Sequence, residues 1–153
     1  VLDEVKFMRA RPYPVSVGVV DNKKAFRKAL KEMGVPKNMR DTDPNGYATT
    51  HFFGTPKGTF VVMQFPKDMT KNAEEMCPAS VIAHECMHAV QIIFQTVGED
   101  SPSMEAEAYL LDEIVEFAFR ELGYAVVKRD QLAAQAEEPA EEQIEMDLPT
   151  KDD

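Results

Sequence analysis

The chain has 153 residues, 44% of them apolar and 29% charged, with a formal net charge of −10. This is the composition of one ordinary soluble domain, long enough to build a real core. No apolar run reaches the ~20 residues of a membrane span, and the acidic balance argues against a nucleic-acid partner. The N-terminal residues carry charges throughout and lack the apolar region of a signal peptide. Cys77 and Cys86 are too few for a disulfide framework and read as reduced thiols, so a cytoplasmic location is expected. The charge is uneven. Residues 137–153 hold eight acidic side chains against Lys151, a net of −7, which leaves −3 for the other 136 residues.

Residues 1–11 read as a mobile or loosely helical lead-in. Residues 12–20, Pro-bounded and rich in Val, read as a strand. Asp21 is placed to cap a helix through Met33, with Gly34 as its stop. Its apolar stripe is Ala25, Phe26, Ala29, Leu30 and Met33. Lys23, Lys24, Arg27, Lys28 and Lys31 fall on the other side, a solvated face in the first instance. A turn-rich loop follows at 38–46, where Asp41 and Asp43 act as turn formers, since no calcium-loop pattern accompanies them. Residues 47–53 and 59–65 read as two strands joined by the G-T-P-K-G hairpin. His51 lies on the first of them, either near a metal or as a structural ring among aromatics.

Residues 66–78 form a connection with a short helical turn at 72–76. From residue 78 or 79 to 97 the 3.6-residue pattern is clear, and Gly98 is the stop. Ser101 as N-cap and Pro102 at the first helical position then open a second helix over 103–122, closed by Gly123. So short a loop sets the two helices side by side. Residues 124–136 form a further short strand or helix. Residues 1–136 are thus one domain, and 137–153 an acidic, disordered tail.

The chemistry sits in the first of these two helices. His84, Glu85 and His88 form H-E-x-x-H. One turn apart, His84 and His88 share a face and can hold one metal ion, with zinc the usual occupant. Glu85 projects about 100° round from His84, where a general base belongs. A zinc site needs at least one more protein ligand, and the second helix offers Glu105 and Glu107.

H-E-x-x-H followed by a Glu on the next helix resembles the gluzincin zinc peptidases. Glu105 with Ala108 matches the E-x-x-A of several gluzincin branches. Glu107 keeps a spacing close to that of the aminopeptidases. The resemblance therefore implies His84, His88 and Glu105 as zinc ligands, with Glu107 the alternative. It also implies Glu85 as the catalytic base. Where thermolysin-like members place an Asp four residues after the ligand Glu, this chain has Tyr109. That residue is either an oxyanion stabiliser or a core side chain, and Asp112 is the candidate to orient a zinc His. More narrowly, residues 79–122 look like small HExxH proteins encoded by bacteriophages.

The expected architecture is α+β, a minimal zincin-like fold. A small three-stranded sheet from 12–20, 47–53 and 59–65 packs on the HExxH helix and the Glu-bearing helix. The expected function is zinc-dependent hydrolysis of peptide or protein substrates, with a substrate strand added to the 47–65 hairpin. The alternative is a phage accessory or virion-associated binding protein whose zinc only staples the fold.

Overall fold

The computed structural model describes residues 2–40, 48–69 and 77–124. In chain order these form β1 (Lys6–Ala10), β2 (Val15–Val20), α1 (Lys23–Glu32), β3 (Thr49–Thr55), β4 (Gly58–Gln64), α2 (Pro78–Val97) and α3 (Met104–Glu121). A 3₁₀ turn at Lys37–Met39 follows α1. The class is α+β, as expected. The sheet has four strands instead of three, ordered β1-β2-β4-β3. β2 and β4 run parallel, and β1 and β3 flank them antiparallel.

The additional strand is β1, in the segment expected to be a mobile lead-in. Lys6 and Arg9 hide its alternation, and only Ala10 is fully buried. Its place comes from backbone pairing with β2, Lys6 opposite Val19 through Ala10 opposite Val15. Gly18 makes room for it. A Cβ there would lie 2.6 Å from a ring carbon of Phe7, which instead packs edge-on against Phe60 at 5.8 Å.

Helices cover both faces of the sheet, so the inner strands β2 and β4 are almost continuously apolar. On one face α1 packs Phe26, Ala29 and Leu30 against Val20, Phe53 and Val62. On the other, α2 and α3 pack Ile82, Ile93, Ile114 and Phe117 against Val15, Val17, Val61 and Met63. Pro56 and Lys57 turn the chain between β3 and β4, and Gly58 takes φ 134°.

Two caps differ from expectation. Asn22, not Asp21, caps α1, its Oδ1 accepting from Lys24 N at 2.9 Å. Asp21 instead accepts from Leu2 N at 2.6 Å, tying the start of the chain to the end of β2. Ser103, not Ser101, caps α3, accepting from Ala106 N at 3.1 Å. The expected turn at 72–76, the short element over 124–136 and the acidic tail at 137–153 fall wholly or nearly so outside the described residues, as do Asp41 and Asp43. No helix among the described residues is long and apolar enough to cross a membrane.

Candidate metal centre

α2 begins at Pro78, whose missing N–H costs a first-turn position nothing, and ends at Gly98 with φ 74°. Its buried face is Val81, Ile82, Glu85, Cys86, Ala89, Val90, Ile93 and Phe94. His84, Met87, His88, Gln91 and Gln95 lie on the exposed side. The two imidazoles meet there with Nε2 atoms 3.0 Å apart and ring planes at 87°. With bonds of about 2.0–2.1 Å, a zinc ion shared at that separation subtends about 95°, near the tetrahedral value of about 109°. Gln91 Oε1 stands 3.4 Å from His88 Nδ1, a long contact that accepts the ring N–H if the proton is there. That tautomer leaves the Nε2 lone pair facing His84. The pair thus offers two of the three or more protein ligands that a zinc ion takes.

Glu85 turns the other way, 6% exposed, toward the sheet. Thr50 on β3 donates its hydroxyl proton to Glu85 Oε2 at 2.6 Å, and the same hydroxyl lies 3.1 Å from the Glu85 carbonyl. A hydroxyl has one proton, and the shorter contact to the charged acceptor takes it. Thr50 was not a sequence candidate. Alternation in T-T-H-F-F puts it opposite His51 across the sheet, but no pattern in the chain says which helix residue it meets. Cys86, next in sequence, is fully buried, and burial pushes its thiol up to about 12, with Glu85 adding to the effect. It belongs to the core and stands apart from the His pair.

α3 runs back along α2. Tyr13 packs edge-on against Phe94 at 5.4 Å and lines one groove with Ala106, Tyr109 and Leu110. At the other end the Tyr124 phenol is pushed up by burial first, then by nearby Asp68 and Cys77. Phe94 is thus level with residues 106–110, and Cys77 with Tyr124. Glu105 is exposed and Glu107 half-buried, in the first turn of α3. His88 stands six residues, about 9 Å, further along α2 from Phe94. Asp112 and Glu116 further along α3 are both exposed. Tyr109, 69% exposed, faces the β1–β2 connection across a groove of about 280 Å³ with Arg11, Pro12 and Glu113. Among the described residues, no three His, Cys, Asp or Glu side chains come together as a metal-holding group. The structure brings His84 and His88 together, while Glu85 between them points to the sheet; it does not bring Glu105 or Tyr109 to that pair.

His51 lies on the opposite face of the sheet from α2. Its ring packs between Phe26, at 5.1 Å, and Phe53, at 6.0 Å. Among the described residues its Nε2 and Gln64 Oε1 are buried without a hydrogen-bond partner. Burial lowers the His51 pKa; Gln64 and Glu85 pull it back by less. Its folded pKa is therefore below its unfolded value. The unfolded chain binds more protons, and stability rises with pH through this window. The contribution is intact above about pH 6.5 and is lost as pH falls below it. Tm measured across that range should fall less steeply for His51→Phe than for the parent chain. Equal slopes would remove His51 as the source.

One turn beyond His88, Ile92, Gln95 and Thr96 meet Phe52 of β3 in an open groove of about 360 Å³. Phe52 is 50% exposed, and among the described residues β3 is an edge strand of the sheet. Comparison with family models, curated proteins and solved structures gives no match.

Proposed function

We propose that this chain is a zinc-dependent peptidase with a minimal zincin-like fold. One observation carries the reading. Two imidazole nitrogens converge at 3.0 Å on the exposed side of α2, while the intervening Glu85 carboxylate is held by Thr50 of β3, an edge strand among the described residues. His84 and His88 hold the ion. When bound there, zinc polarises the scissile carbonyl and acidifies a water. Thr50 occupies Glu85 Oε2, which leaves Oε1 to take the proton and pass it to the leaving amine. The exposed setting of both imidazoles favours this over a fold-stapling zinc, which needs four protein ligands in a closed site.

The third ligand comes from α3. The sequence pattern supports Glu105, and the antiparallel register supports Asp112, which is seven residues on and shares its helix face.

The substrate lies extended along the free edge of β3. β3 and α2 run in the same direction, since Thr50 meets Glu85 and Phe52 meets Ile92 and Thr96. A peptide pairing antiparallel, the slightly stronger ladder, then enters from the Phe52 end. Its N-terminal half passes over the Phe52 groove, so an apolar side chain before the scissile bond is preferred.

Metal content tests the centre. Protein purified without added metal should carry about one zinc per chain, retained in Glu85→Gln and lost in His84→Ala or His88→Ala. Of Glu105→Gln and Asp112→Asn, the variant that loses metal identifies the third ligand. Parent protein free of zinc, and unable to take it up, would end the metallopeptidase reading.

A further inference from the structure

The surface of α1 asks for a different explanation. Lys23, Lys24, Arg27, Lys28 and Lys31 are all exposed and fall within one sector of about 140° on the helix. Residues 22–40 hold seven basic side chains against Glu32, a net of +6 in a chain of −10. Lys57 adds another cation by reaching the Glu32 carbonyl oxygen.

This arrangement works against the helix that carries it. Lys24 with Lys28 is a like-charged pair at i,i+4, which is unfavourable. The first turn contains Lys23 and Lys24 and no acid, although the positive end of the helix dipole is there. Lys28 with Glu32, 3.9 Å apart, is a favourable pair on the same helix. A face that only meets solvent gains from mixed charge. A uniformly basic one fits an acidic partner.

We propose that the α1 face is the docking surface for the chain's own acidic segment, residues 137–153. That segment carries −7 against the +6 of residues 22–40. The twelve residues 125–136 can span up to about 40 Å, against a radius of gyration of about 14 Å for a domain of this size. The segment can therefore reach α1 from Tyr124, although α1 and α3 cover opposite faces of the sheet. Carboxylates laid along the helix relieve the Lys24–Lys28 repulsion, and those near Lys24 also meet the dipole. The contact lies on the far side of the sheet from His84 and His88 and does not depend on the metal reading.

Zero-length carbodiimide coupling of the full chain, mapped by mass spectrometry, tests it. Lys24, Lys28 and Lys31 should link to carboxylates of 137–147 within one chain. Those links should disappear in about 1 M salt, where the Debye length falls to about 3 Å. Exposed Lys67, close in sequence to Asp68 and thus near the point where residue 125 departs, is the control. Lys24→Glu with Lys28→Glu should abolish the links, and adding Glu141→Lys with Glu142→Lys should restore coupling between the exchanged positions. Links dominated by Lys67, or no restoration in the double reversal, would overturn the proposal. So would light–heavy links in a mixture of isotope-labelled chains, because the occupant would then be a second copy.

Discussion

Glu85→Gln is expected to lower peptide hydrolysis by about 10²–10⁴-fold, the usual contribution of a positioned general base. The change keeps the size of the side chain and an oxygen able to accept from Thr50, so the contact now at 2.6 Å survives. The fold and the metal content are expected to stay as they are. The loss then reports proton transfer and nothing else. Glu85→Ala is a poorer test, because it removes a buried acceptor and leaves the Thr50 hydroxyl unpaired against the helix. A proteome-derived peptide library digested by both forms gives the measurement. The same set of cuts from the parent and from Glu85→Gln would assign the cleavage to a contaminant or to another residue and remove Glu85 from the chemistry.

The second large effect is on stability. Ile114 of α3 is fully buried where α3, α2 and the sheet meet. Ile114→Ala should cost about 2–5 kcal/mol, the transfer term for the lost carbons plus the cavity they leave. Domains of this size are stable by only about 5–15 kcal/mol, so this is a large fraction of the total. The fall in Tm should be about 10 °C or more. Tyr109→Ala on the same helix, at 69% exposure, should stay within about 0.5 kcal/mol. The contrast between the two fixes which side of α3 faces inward. A penalty at Tyr109 equal to that at Ile114 would contradict the packing.

Much of this architecture is legible in the chain itself. α1, α2 and α3 each bury a face whose period can be read directly, β2 and β4 show as short apolar runs, and the Pro56-Lys57 turn marks the hairpin. β1 is hidden because its order comes from pairing with β2 and from the space beside Gly18, both long-range facts. The caps were misplaced by one or two residues because Asp21 next to Asn22, and Ser101 near Ser103, offer the same side-chain oxygen. Tertiary contacts choose between them, as Leu2 N does for Asp21.

The candidate site divides in the same way. His84 and His88 converge because their spacing matches one helical turn, a local property. Thr50 meets Glu85 across 35 positions of sequence, which no local pattern encodes. Which α3 carboxylate could serve the proposed centre depends on how far α2 extends past His88. α2 continues to Val97 before turning, which sets Glu105 in the first turn of α3, away from His88 along the helix.

Cys86 also gives the molecule a clock. Its thiol is fully enclosed and held almost entirely protonated at neutral pH, while Cys77 stands exposed at the start of the same helix. Electrophiles and oxidants therefore see one cysteine in the native protein. The second becomes visible only when α2 lifts from the sheet, so its modification rate is the reagent's rate with the open form scaled by the fraction of time spent open. Damage at Cys86 accordingly records how often the helix carrying His84 and His88 has left its place.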